Sequence, residues 1–196
     1  LAANGVTLTL TGTPTINGTF RIDPGGFAQG GTWSYGASST LEFANTSNFG
    51  FANTHVFWPT VSGPPNVNIS GSGGVTMTSA SRTVSGTFQT SSTLTLSSST
   101  LTINGTFKIN QGGFATGGTF VYGAGSTLQF ANTSGSYGVG ADVYWPTTSG
   151  PPNVNVSGAG GITMNVARTV STLFQTSAGV AGGSALTLNG TAQINA

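Results

Sequence analysis

The side chains able to move a proton or hold a metal are few: one imidazole, His55, three carboxylates, Asp23, Glu42 and Asp142, four basic groups and no cysteine. A general base needs a positioned acid, nucleophile or metal beside it. His55 has no repeated carboxylate neighbour, and on self-comparison it aligns with Asp142. Arg21 and Asp23 form an outward i, i+2 pair that becomes Lys108 and Asn110 in the next copy, the behaviour of solvated charges rather than catalytic ones. Enzymes that cleave polysaccharides on a β-helix need acidic or basic groups clustered along a groove, and this composition cannot supply them. Thiolate, multi-His and carboxylate-cage metal sites are equally out of reach. The expectation is a chain with no catalytic residue, no cofactor and no metal.

Other residue patterns could bind rather than react. Phe57-Trp58-Pro59 and Tyr144-Trp145-Pro146 are candidate surface or corner aromatics, which would either stack on a sugar ring or fill a widened corner of the core. Core filling is the better account. Seven Asn-x-Ser/Thr sequons occur, at Asn17, Asn45, Asn68, Asn104, Asn132, Asn155 and Asn189. Such motifs can accept glycans, but stacking of outward Asn and Thr into hydrogen-bonded ladders explains them better. The outward polar strand positions expected from parity are Asn17, Thr19, Asn104, Thr106, Asn189 and Thr191. Thr-x-Thr pairs at Thr7, Thr76, Thr93 and Thr100 suggest an ice-binding hydroxyl array, yet the pairs are not expected to recur at one site on every coil, the recurring NGTF strand carries Asn-x-Thr instead, and the β-propensity of Thr suffices to explain them.

Composition narrows the partners. Charged residues make up 4% of the 196 and the formal net charge is +1, so there is no basic footprint for nucleic acid or an anionic membrane. With 36% hydrophobic and 10% aromatic residues, the chain can bury a core, unlike a disordered segment of low hydrophobicity and high charge. No apolar run approaches the roughly 18 residues of a membrane span, and no membrane insertion is expected. A Thr, Ser, Asn and Gly surface with almost no Lys or Glu suits an extracellular or cell-surface location.

What would position these residues is set by an internal repeat. The stretch from Gly18, GTFRIDPGGFAQGGTWSYGASSTLEFANTS, returns from Gly105 as GTFKINQGGFATGGTFVYGAGSTLQFANTS, an offset of 87 residues shared by Trp58-Pro59-Thr60 and Trp145-Pro146-Thr147. A third copy opens at Asn189-Gly190-Thr191. Residues 1–17 then form a lead-in, 18–104 and 105–188 two tandem repeats, and 189–196 the start of a third. Inside the repeat, VSGTF from Val84 resembles INGTF from Ile103, 19 residues further on. That is the length of one solenoid turn, which implies four coils per repeat.

Alternation identifies the strands. In 101–110, Leu101, Ile103, Gly105, Phe107 and Ile109 face inward and the even positions are polar, a period of two with one face buried. The register recurs with Ile16, Gly18, Phe20 and Ile22, and again with Leu186, Leu188, Gly190, Ala192 and Ile194. Shorter strands are expected at 32–35, 39–43, 66–70, 74–77 and 93–96, punctuated by Gly and Pro turns. No stretch has helical period and caps. A β-sandwich is the competing architecture, but similar strands recur at coil spacing and the third copy begins without a linker. The expected fold is all-β: a parallel β-solenoid of about nine coils, right-handed by the default of parallel crossovers.

The run YGxGSTLxF, followed some 20 residues later by aromatic-Trp-Pro-Thr-x-Ser-Gly-Pro-Pro-Asn-Val-x-Val-Ser, resembles the repeats of very long secreted surface proteins of Bacteroidota and related bacteria. These include repetitive gliding adhesins exported by the type IX system. The resemblance covers nearly the whole chain and implies a structural or adhesive segment of an extracellular fibre or cell-surface adhesin. An ice-binding solenoid and a carbohydrate-binding solenoid module are the alternatives. Expected partners are the continuation of a longer chain or a second copy stacked end to end, with a surface polysaccharide as a candidate ligand.

Overall fold

The structure is a computed structural model that describes residues 2–3 and 5–195. The outermost positions of the expected lead-in and third-copy segments, 1, 4 and 196, lie outside the described residues. Among the described residues there is no helix. Every strand pairing is parallel, and a ten-stranded sheet runs the length of a β-solenoid of about nine turns. One register passes through Thr19, Thr40, Asn66, Thr87, Thr106, Thr127, Asn153, Leu173 and Thr191, in steps of 18 to 26 residues. Four of those steps separate Thr19 from Thr106.

A standard turn has three strands, as in Thr87–Thr90, Thr93–Ser97 and Thr100–Ile103, after which Thr106–Asn110 pairs back onto Thr87–Thr90. Alternation is kept on each side: Phe88, Leu94, Leu96, Leu101, Ile103, Phe107 and Ile109 are fully buried. Corners are held by side chains that replace missing backbone partners. The Ser99 hydroxyl donates to Met77 O at 2.9 Å and accepts from Ala80 N at 3.0 Å. Asn45 Nδ2 donates to Gly74 O at 2.7 Å, and Asn132 Nδ2 does the same to Gly161 O at 3.0 Å.

Two parts of the sequence reading change. Residues 101–110 are two strands, Thr100–Ile103 and Thr106–Asn110, on different sides of the solenoid. Asn104 and Gly105 form the corner between them, and a two-residue corner preserves the parity. Gly105 therefore sits at a corner, where a Cβ would run into the backbone of the preceding corner, at Ser85 and Gly86. The expected inward set of the third copy is also more open: Leu188 is 37% and Ile194 85% exposed, because no described turn stacks over them.

Candidate functional site: the ten-stranded face

The two aromatic clusters do not form a surface. Phe57, Trp58, Tyr144 and Trp145 are each at most 1% exposed, so no ring face is presented to a sugar. The physical reason lies in the two longest turns. After Phe49–Ala52 and after Tyr137–Val139 the chain makes no strand on the third side, and the loop folds inward to fill the space. Phe57 contacts the rings of Phe20, Phe27, Phe43, Phe49 and Phe51 at centroid distances of 5.8 to 6.4 Å, and Trp58 stacks on Phe51 at 5.3 Å. Tyr144 occupies the equivalent place among Phe107, Phe114, Phe130 and Tyr137.

His55 and Asp142 serve these loops. Ala52 N donates to His55 Nδ1 at 2.8 Å, and Gly140 N donates to Asp142 Oδ2 at 2.8 Å. An imidazole and a carboxylate thus accept the same kind of backbone amide in the two copies. The residues that sequence reasoning did not single out are Arg82 and Arg168, 3% and 5% exposed and directed into the core. Arg82 Nε donates to Trp58 O at 2.6 Å, Nη1 donates to Asn53 Oδ1 at 2.7 Å, and the guanidinium lies 4.8 Å over the Phe51 ring. Burial lowers its pKa to about 10. Arg168 donates to Gly140 O at 2.5 Å and Ala167 O at 3.0 Å. Both arginines latch an aromatic loop to the next turn. The sequence signal was parity: Arg82 is in register with buried Leu101.

The outward polar residues converge on the ten-stranded sheet. Thr19, Thr106 and Thr191 share one column with Thr40, Thr87 and Thr127, the remaining places being Asn66, Asn153 and Leu173. A second column, two residues on, reads Arg21, Glu42, Asn68, Gln89, Lys108, Gln129, Asn155, Gln175 and Gln193. The Thr positions are therefore regular in space although irregular in sequence, because the turns differ in length. Asn17, Asn104 and Asn189 are exposed but lie at corners beside this face. They do not stack on one another. Of the other sequons, Asn45 and Asn132 are buried, and Asn68 and Asn155 belong to the second column.

The face carries Arg21, Asp23, Glu42 and Lys108, of which only Arg21 and Asp23 form an ion pair among the described residues. Arg21 Nε donates to Asp23 Oδ1 at 2.7 Å, and Glu42 Oε1 accepts from Ser70 Oγ at 2.7 Å and Asn68 Nδ2 at 3.2 Å, with Lys108 further along. At mid-face a groove of about 410 Å³ is lined by Thr40, Asn66, Thr87, Gln89, Thr106 and Lys108, among others. Asn66 is committed to the scaffold, accepting from Thr87 N at 2.9 Å and donating to Ser39 O at 3.1 Å. The side chains of Thr87, Gln89, Thr106 and Lys108 make no hydrogen bond to the protein among the described residues. They present hydroxyl, amide and ammonium groups to whatever fills the groove. Among the described residues no group of three or more His, Cys, Asp or Glu could hold a metal ion.

Comparison of the chain with protein-family models, with curated proteins and with solved structures gives no match.

Proposed function

We propose that the chain is a structural, adhesive segment of a repetitive extracellular fibre or cell-surface adhesin. The observation that carries this reading is the single register running through the ten-stranded sheet. Each turn contacts only its neighbours, so such a rod lengthens by adding turns without changing its cross-section. At about 4.8 Å per turn, nine turns span on the order of 43 Å. The surface of hydroxyls and amides supports an extracellular setting, and the resemblance to bacterial surface repeats points the same way. The partners in this reading are further turns of a longer chain or a second rod end to end, with a polysaccharide as ligand.

An antibody raised against the purified chain is expected to label intact cells that produce it, and negative-stain micrographs to show thin rods. Labelling that needs permeabilised cells, or compact particles without a long axis, overturns the reading. The same reading expects no turnover: plant, algal and bacterial polysaccharides incubated with the chain yield no new reducing ends. Reproducible cleavage that disappears in His55→Ala or Glu42→Gln would make the protein an enzyme.

The Thr column gives one specific observation in favour of ice binding. Against it, the neighbouring column mixes Arg, Glu, Lys, Gln and Asn, side chains of unequal length that roughen the face. Little thermal hysteresis is expected at millimolar protein. Strong hysteresis from monodisperse monomers, abolished by Thr106→Lys, reverses the ranking.

A further inference from the structure

We propose that the groove at the middle of the ten-stranded face binds a linear, uncharged polysaccharide lying along the solenoid axis. This deepens the surface reading above and rests on it for biological meaning. The groove reaches from Thr40 to Gln129, four register steps, on the order of 19 Å at about 4.8 Å per step. That is room for a short run of sugar rings. Across it, Thr87 and Thr106 offer hydroxyls that both donate and accept, Gln89 offers an amide that does both, and Lys108 offers donors only. A ligand rich in hydroxyl groups matches this set, since each hydroxyl also both donates and accepts.

Charge decides between neutral and charged polymers. Of the nine residues that line the groove only Lys108 is charged, the other eight being Thr, Asn, Gln and Val. A polycation meets only repulsion from Lys108, and a polyanion with a charge on each sugar finds a single cation along the groove. An uncharged chain pays neither cost. The aromatic rings are turned inward, so binding here relies on many modest hydrogen bonds repeated at each rung, and affinity grows with the number of rungs engaged. Unequal side-chain lengths suit a flexible polymer better than a rigid ice lattice.

The test is native electrophoresis of the purified chain through gels containing pullulan, glucomannan or mixed-linkage β-glucan, with alginate and chondroitin sulfate as charged comparisons. At least one of the three neutral polymers is expected to retard the wild type, and the two charged ones not. Removing one hydrogen-bonding group at each of two rungs, Gln89→Ala with Thr106→Val, should raise the dissociation constant about tenfold. Both positions face outward, and Val keeps the β-propensity of Thr. Thr95→Val, on the second side of the solenoid, should leave retardation unchanged. No retardation by any neutral polymer, retardation by the anionic polymers alone, or equal loss in Thr95→Val overturns the groove. Surface labelling of cells without retardation defeats the groove and leaves the fibre reading standing. Retardation with labelling confined to permeabilised cells does the reverse.

Discussion

Raised above about pH 10, the chain is expected to unfold in one steep cooperative step. It has four tyrosines, and burial pushes the pKa of every one upward: Tyr137 to about 12, Tyr35 and Tyr144 further, and Tyr122 well above the ordinary phenol value. Three of the phenols donate inside the fold. Tyr35 donates to Phe57 O and Tyr122 to Tyr144 O, each at 2.5 Å, and Tyr144 to Asp142 Oδ2 at 2.7 Å. A phenolate can make none of these bonds, and burial opposes its charge.

The folded pKa values lie above the unfolded value near 10, so this stabilisation is whole below about pH 10. Above it, the unfolded chain releases phenolic protons that the folded chain keeps. Each phenol then removes roughly 1.4 kcal/mol per pH unit, and four together roughly 5 kcal/mol. Against a typical stability of about 5–15 kcal/mol, the fold should fail within about one to three pH units. Phenolate absorbance and far-UV circular dichroism should change together. Gradual ionisation near pH 10 with the β signal intact would show that the tyrosines are not buried as described.

How far the sequence discloses this structure depends on what each feature writes into it. Alternation writes itself directly: Leu101, Ile103, Phe107 and Ile109 are inward in sequence and buried in the fold. The bend at Asn104-Gly105 is invisible to alternation, since a two-residue corner returns the chain in the same parity. The Thr column of the ten-stranded face is hidden for another reason. Turns of unequal length scatter Thr19, Thr40, Thr87, Thr106 and Thr127 along the chain, and only the register gathers them. Arg82 conflicts with itself: its parity is inward and its charge argues outward. A guanidinium can be buried here because Trp58 O and Asn53 Oδ1 receive its protons, acceptors that come from a loop no local pattern could place beside it. Trp58 and Trp145, surface or corner candidates in the sequence, are buried, and the space they fill exists only because the third strand is missing from their turns.

Gly105→Val is expected to destabilise the fold by about 3 kcal/mol, the upper end for an overpacked site. A Cβ at Gly105 would fall inside contact distance of Gly86 O and 2.6 Å from Ser85 O. These are backbone atoms of the preceding corner, with no flexible side chain to swing away. The same carbonyl, Gly86 O, accepts from Thr106 N at 2.8 Å, so relieving the clash stretches a ladder bond as well. Broader corners escape this. The four residues between Tyr122 and Thr127 leave room for Ser126 in the same column, whereas the two-residue corner at Asn104-Gly105 stacks on another at Ser85-Gly86. Gly50 is the contrast: it faces outward in the strand Phe49–Ala52, and a Cβ there would meet nothing within 4 Å. Gly50→Thr should therefore lie within about 0.5 kcal/mol of the wild type or above it, since Gly weakens a strand interior. Urea melts of the two variants should separate in midpoint with similar slopes. Equal midpoints would mean that the corners at Gly86 and Gly105 are not stacked, and the register of the ten-stranded sheet would have to shift there.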